Sequence, residues 1–211
     1  MATMMMSRRQ TLILGGVALL ALALPLPALA APQVGSPAPE FAVVDTNGTM
    51  RRLADLRGKV VVLEWTNADC PFTIKHYTSA NMQNLQKQAA AEGVVWLSVI
   101  SSAPGEQGYV NAAEANRLTD SRRAAPTAVL LDPEGKLGRL YGAVTTPHMY
   151  VIDAKGVLRY MGGIDSIAST NEADVEKAKP LFRDAMRAVV TGRTVANPVT
   201  RPYGCSIKYG T

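Results

Sequence analysis

Residues 59–77 read Lys-Val-Val-Val-Leu-Glu-Trp-Thr-Asn-Ala-Asp-Cys-Pro-Phe-Thr-Ile-Lys-His-Tyr. The β-branched, apolar run from Val60 to Leu63 predicts a buried central strand. It stops at a polar turn, Thr66-Asn67-Ala68-Asp69, and a helix-like pattern begins at Pro71. Proline suits the first helical position, where its missing N–H costs nothing. Cys70 therefore stands at the helix start, facing unpaired backbone N–H groups and the positive end of the helix dipole. Both favour thiolate over thiol, and the thiolate is the nucleophile. The plainer alternative is a structural cysteine, since cysteine is among the most buried residue types.

The rest of the chain supplies a sheet and helices around that turn. Phe41–Asp45 reads as a strand and Asn47-Gly48 as a tight turn. A helical pattern runs from Pro71 to about Glu92 and Gly93 can end it. Val94–Ile100 and Ala128–Asp132 read as further buried strands, with a helix between them from Asn111 to Leu118. After a short helix at Leu137–Tyr141, a strand begins just past Pro147, and the turn Ala154-Lys155-Gly156 leads to a partner strand over Val157–Met161. Residues 171–191 read as a helix that Pro180 must kink or split. Residues 195–206 form a Pro/Gly-containing tail that carries Cys205 and reads as a mobile loop. The fold class is α/β: a central mixed β-sheet with helices on both faces, in one domain over residues 31–211.

Residues 1–30 are read apart from the fold. Ser7-Arg8-Arg9-Gln10 precedes an apolar run from Leu12 to about Leu24, and Ala28-Leu29-Ala30 offers a small-x-small cleavage site. This is the pattern of a bacterial export signal, and the paired arginines resemble a twin-arginine signal. It places the mature chain in the periplasm or outside the cell, with the membrane involved only through the signal. Arg8 and Arg9 supply two of the formal +5 charges, leaving +3 on the remainder. There is no Lys/Arg cluster with interleaved aromatics, so nucleic-acid binding is not expected. An oxidising compartment permits a disulfide, and the two cysteines, Cys70 and Cys205, allow one intramolecular pairing.

The turn resembles the active-site turn of the thioredoxin-like superfamily. Glu64-Trp65-Thr66-Asn67-Ala68-Asp69-Cys70-Pro71 carries the resemblance. With Phe72 following and Lys75-His76-Tyr77 beyond, it is most similar to peroxiredoxin-like, AhpC/TSA-type redoxins of bacterial envelopes. Val34-Gly35-Ser36-Pro37-Ala38-Pro39 before Phe41 resembles the start of that domain. The resemblance implies a thioredoxin-like fold, with Glu64 moving protons during disulfide exchange. It implies that Thr146-Pro147 is a cis-proline turn, where the residue before proline offers its backbone to a bound chain. Trp65, Thr146, Pro147 and His148 are the candidate substrate-contacting residues.

Departures from the family patterns narrow the chemistry. Thr73 stands where thioredoxins have their second active-site cysteine. Leu63 and Asn67 stand where peroxiredoxins have a proline and a Thr/Ser, and their arginine near the Pro147 position is missing. Cys205 is the candidate resolving thiol: oxidised Cys70, as sulfenic acid or mixed disulfide, would be attacked by it. A permanent Cys70–Cys205 staple is the other reading of the same pair. His148 is available to approach Cys70, whereas His76 lies further along the helix and reads as surface or core.

The candidate catalytic residues are thus Cys70, Glu64 and Cys205, with no cofactor and no metal expected. The predicted function is a thiol-dependent oxidoreductase acting through Cys70, with a thiol reductant protein, a disulfide substrate or peroxide as partner. A copper-handling or partner-binding module without turnover is the alternative, because a soft thiolate with imidazole can hold Cu(I).

Overall fold

The computed structural model describes residues 31–210, and the export signal read over residues 1–30 lies outside them. Ala42–Val44 (β1) and Met50–Arg52 (β2) form an antiparallel hairpin. Asp45 holds its turn by accepting the N–H groups of Asn47 and Thr49, both at 2.9 Å. The apolar run becomes Val61–Trp65 (β3), buried at every position. It pairs in parallel with Val95–Ile100 (β4), which pairs in parallel with Ala128–Leu131 (β5). On its other side β3 pairs antiparallel with His148–Ile152 (β7), which follows the two-residue strand Thr145–Thr146 (β6). Leu158–Gly162 (β8) closes the mixed sheet, in the order β5-β4-β3-β7-β8.

Alternation along β3 divides the core in two. Val61, Leu63 and Trp65 face a cluster with Leu97, Leu130, Tyr141, Tyr150 and Ile152. Val62 faces the opposite side, against Tyr77, Met82, Trp96, Phe182 and Met186. That second side is covered by Pro71–Thr78 (α1), Asn81–Ala91 (α2) and Leu181–Val190 (α5). Ala112–Ser121 (α3) lays Ala115 on Ile100 and Val129, and Lys136–Tyr141 (α4) packs Leu137 and Tyr141 into the first cluster.

Three expectations are corrected. The helix read from Pro71 to Glu92 is two helices. The hydroxyls of Thr78 and Ser79 bond back to the carbonyls of Ile74 and His76, competing with the ladder. Ala80 then turns the chain with φ of +58°, and Gln83 Nε2 donates to the Tyr77 carbonyl at the end of α1. The helix read over 171–191 is a single 3-10 turn at Glu172–Asp174 followed by α5, which starts directly after Pro180.

The third correction is the tail, which is docked rather than loose. Met161 N–H donates to the Pro198 carbonyl and Thr200 N–H to the Met161 carbonyl. Cys205–Ser206 (β9) pairs antiparallel with β6, Thr146 opposite Cys205. Ile207 N–H then donates to Val144, and Tyr209 Oη to the Ala143 carbonyl at 2.7 Å. The backbone polar groups of this strap are satisfied on both sides of Cys205.

Candidate active site

Cys70 is the N-cap of α1, with Pro71 in the first turn and the Ile74 N–H bonded to the Cys70 carbonyl at 2.8 Å. The turn before it is held by Asn67, whose Oδ1 accepts the Asp69 N–H at 2.9 Å and whose carbonyl accepts the Cys70 N–H. Gly108 sits so close to the Asn67 side chain that a Cβ would fall 2.3 Å from Asn67 Cγ.

The sulfur itself is buried. Its neighbours are the backbone of Thr146, with the carbonyl oxygen 3.1 Å away, and of Cys205, with the N–H nitrogen 3.4 Å away. Both cysteines are free thiols. Burial by itself raises the Cys70 pKa. Hydrogen bonds from Cys205, chiefly its thiol and its N–H, outweigh it, and the pKa lies below the ordinary thiol value. Cys205 moves the other way, pushed up to about 11 by burial and by the hydrogen bond and charge of Cys70. The pair is therefore asymmetric: Cys70 carries the thiolate character and Cys205 keeps its proton and donates it.

The Thr146–Pro147 peptide is cis, matching the turn read there. Thr146 and Pro147 lie beside the sulfur, and Thr146 already has a strand partner, the chain's own Cys205. Of the residues singled out in the sequence, Cys70, Thr146, Pro147 and Cys205 are brought together.

Glu64, Trp65 and His148 are directed elsewhere. Glu64 is fully buried and accepts from Tyr77 Oη (2.9 Å) at one oxygen. Its other oxygen accepts from Trp96 Nε1 (2.8 Å), Ser98 Oγ (2.9 Å) and Gln86 Nε2 (3.3 Å). Among the described residues none of its hydrogen bonds runs to Cys70. Trp65 is fully buried, packed edge-on against Tyr150 with its Nε1 donating to Ser101 Oγ at 3.0 Å. It is a core residue and presents no face to a substrate in this conformation. His148 is buried too, its Nδ1 accepting from the Val144 N–H at 3.4 Å and lying 3.3 Å from Tyr150 Oη, whose proton goes to the Tyr141 carbonyl. Burial lowers its pKa to about 4, so the ring is neutral near pH 7.

A set of polar residues beside the site was not singled out as functional. Lys75 and His76 of α1 and Asp165 after β8 are buried around the hydroxyl of Tyr203, two residues before Cys205. The sequence signal was thin: two adjacent basic residues on one helix, with their partners about 90 and 130 residues away. Among the described residues no group of three or more His, Cys, Asp and Glu side chains forms a metal cluster.

The model of the AhpC/TSA family matches residues 34–161. The chain belongs to the AhpC/TSA family. Among curated proteins none matches it. Its solved structural neighbours are thioredoxin-like. A hypothetical protein from Sinorhizobium meliloti superposes with a TM-score of 0.71 at 20% identity, covering 86% of this chain and 97% of that one. A protein from Chlorobium tepidum assigned as thiol:disulfide interchange protein DsbE gives a TM-score of 0.51 at 25% identity, covering 62% and 85%. The peroxidoxin BcpB from Mycobacterium tuberculosis gives 0.52 at 21%, covering 75% and 98%. This AhpC/TSA chain is therefore a thioredoxin-like redoxin.

Proposed function

We propose that this redoxin is an exported thiol–disulfide oxidoreductase in which Cys70 is the nucleophile and Cys205 the resolving thiol. The observation that carries the reading is the Cys205 backbone N–H 3.4 Å from the Cys70 sulfur, held there by the Thr146–Cys205 strand pair. In the forward step the Cys70 thiolate attacks one sulfur of a partner disulfide, whose other sulfur departs as a thiolate. Cys205 then gives up its proton and attacks the Cys70 sulfur, releasing the partner's second thiolate. The partner gains two electrons and the chain is left with a Cys70–Cys205 disulfide, which an external dithiol reduces. Thr146 and Pro147 shape the edge on which the incoming sulfur lies.

Asymmetric pKa values suit this order. While Cys70 is anionic, Cys205 is held protonated and is a poor nucleophile. Once Cys70 is tied up in a mixed disulfide, that charge is gone and Cys205 can ionise.

A peroxide route is less supported. The Asn67 side chain, at the Thr/Ser place of the peroxide-activating set, is taken up by the turn, accepting from Asp69 and donating to the Gln107 carbonyl at 3.5 Å. A copper-handling role gains from the same pairing, since two adjacent thiols are soft ligands for Cu(I). The export motif Ser7-Arg8-Arg9-Gln10, with the apolar run and Ala28-Leu29-Ala30, supports a periplasmic setting where disulfides persist. Fractionating cells that express the full chain tests that location.

The deciding experiment treats the reduced protein with oxidised glutathione and follows thiols and mass. The wild-type chain should lose both thiols and end as an intramolecular disulfide. Cys205→Ser should stop at a glutathione adduct, and Cys70→Ser should not react. A Cys70→Ser variant that exchanges as fast as the parent refutes the reading. Tight one-to-one Cu(I) binding without any exchange favours the copper role.

A further inference from the structure

Tyr203 enters the body of the protein two residues before Cys205. Its hydroxyl donates to Asp165 Oδ1 at 2.6 Å and accepts from Lys75 Nζ and His76 Nε2, both at 3.2 Å. Asn81 Nδ2 lies 2.9 Å from His76 Nδ1, which puts the imidazole proton on Nε2, facing the phenol. The ring packs edge-on against Phe72, and Lys75 Nζ lies 5.2 Å from its centroid. The side chains of Lys75 and His76 are fully buried and that of Asp165 is 6% exposed. Asp165 Oδ2 has no hydrogen bond and lies 3.7 Å from both Lys75 Nζ and His76 Nε2. One acceptor and two donors thus converge on a single phenol oxygen. Among the described residues none of the three hydrogen-bonds to Cys70, whose sulfur meets Thr146 and Cys205 instead.

The residue between is as tightly defined. Gly204 has φ of +139°, and a Cβ there would fall 1.9 Å from the Thr146 carbonyl oxygen. Along this stretch the protein reads three things in order: a phenol in the buried pocket, no side chain against Thr146, and a sulfur on Cys70. Cys70 is fully buried, the tail's Cys205 N–H lies against its sulfur and Cys205 holds the strand partnership of Thr146, so another polypeptide that pairs with Thr146 takes the tail's place. A chain that covered the pocket without a hydroxyl would bury Lys75 and Asp165 deprived of the oxygen they share. Discrimination of this kind, through unpaired buried polar groups, is strong.

We propose that the Lys75–His76–Asp165 pocket is a partner-recognition subsite, for which Tyr203 is the internal occupant. The partner it fits is an extended polypeptide with tyrosine two residues before, and glycine immediately before, the cysteine that exchanges with Cys70. The proposal rests on the thiol-exchange reading of Cys70. In that exchange the Cys70 sulfur bonds to the partner's cysteine sulfur, and the group previously disulfide-bonded to that cysteine leaves as a thiolate.

The test uses the full chain carrying Cys205→Ser. The probes are three peptides, Arg-Pro-Tyr-Gly-Cys-Ser-Ile and its forms with Phe for Tyr or Ala for Gly, each linked at cysteine to glutathione, plus oxidised glutathione alone. Cys70 should take up the Tyr-Gly-Cys peptide at least about tenfold faster than either altered peptide, the scale of one buried hydrogen-bonding group left unpaired. In Asp165→Asn/Cys205→Ser the Tyr-over-Phe ratio should shrink. That ratio is read within one protein, so general loosening of the tail does not move it. A Tyr203→Phe/Cys205→Ser variant weakens the internal competitor and should take up the tyrosine peptide faster still. Equal rates for the three peptides, with oxidised glutathione still reacting, overturn the proposal and leave thiol exchange standing. No reaction with any probe overturns both. A wild-type chain that oxidises to dimers linked Cys70 to Cys205 between copies shows that the occupant is a second copy's tail, and overturns the external partner.

Discussion

Thr146 and Cys205 face each other as register partners in an antiparallel strand pair, and the Cys70 sulfur contacts the backbone of both, at 3.1 and 3.4 Å. The second cysteine therefore comes to the nucleophile not through a short motif but along a two-stranded ribbon formed by the C-terminal tail and the residues just before β7. The position that thioredoxins give to a second cysteine in the helix is held here by Thr73, which is fully buried.

The thiolate should depend on Cys205 as a donor. Alkylation of Cys70 followed against pH is expected to show an inflection below the ordinary thiol value of about 8.5. In Cys205→Ala the inflection should move upward, because the thiol that stabilises the anion is gone while burial still opposes charge. An unchanged inflection would mean that the pair is not coupled.

Gly204→Ala should undo the strand pair. The added methyl meets the Thr146 carbonyl, a backbone atom that cannot swing away. An L-residue held in such a rarely populated region costs about 1–3 kcal/mol before the clash is counted. The expected outcome is faster alkylation of Cys70 together with slower formation of the Cys70–Cys205 disulfide. Both rates come from one quenched time course.

Glu64 should prove structural. Glu64→Leu leaves the donors of Tyr77, Trp96 and Ser98 without their acceptor, while Gln86 Nε2 keeps only Tyr77 Oη, and a loss of about 3–5 kcal/mol is expected. Glu64→Gln should lose less and leave the pH profile of Cys70 alkylation in place. A profile displaced by Glu64→Gln would restore the proton-moving role. Urea midpoints and alkylation rates together separate the two.

Acid should weaken the fold through its two histidines. His76 and His148 both have pKa values lowered to about 4, by burial first and, for His76, by repulsion from Lys75. Their unfolded values lie near 6.5, so between about pH 4 and 6.5 the unfolded chain binds more protons. Stability from these groups is full above pH 6.5 and falls as pH drops through that window, on the order of 3 kcal/mol each by the bottom. Urea midpoints measured from pH 7.5 to 4.5 should show the decline, with a shallower slope in His148→Gln.

The residues legible in the sequence were those whose local pattern carries their role. Cys70 and Pro71 mark a helix start, and the run Val61–Trp65 could only be a central strand once it proved apolar on both faces. Thr146-Pro147 was implied by the family resemblance, at a place directly before a strand. What stayed hidden depends on distant partners. β9 has two residues and exists only because β6 offers an edge, so no alternation announces it. Glu64 on an apolar strand pointed to chemistry, yet its reason is four donors contributed by α1, α2 and β4. His76 read as surface or core and Lys75 carried no signal of its own; the structure buries both beneath Asp165 and Tyr203.

The strap pinned at Thr200 and Tyr209 on either side of Cys205 bears on how fast this protein works. A reagent of macromolecular size must wait for the cover to lift, an event whose frequency is set by the chain alone. With such reagents the observed rate should climb with concentration and then level off at the lifting frequency. Loosening either pin would raise that ceiling without altering the sulfur.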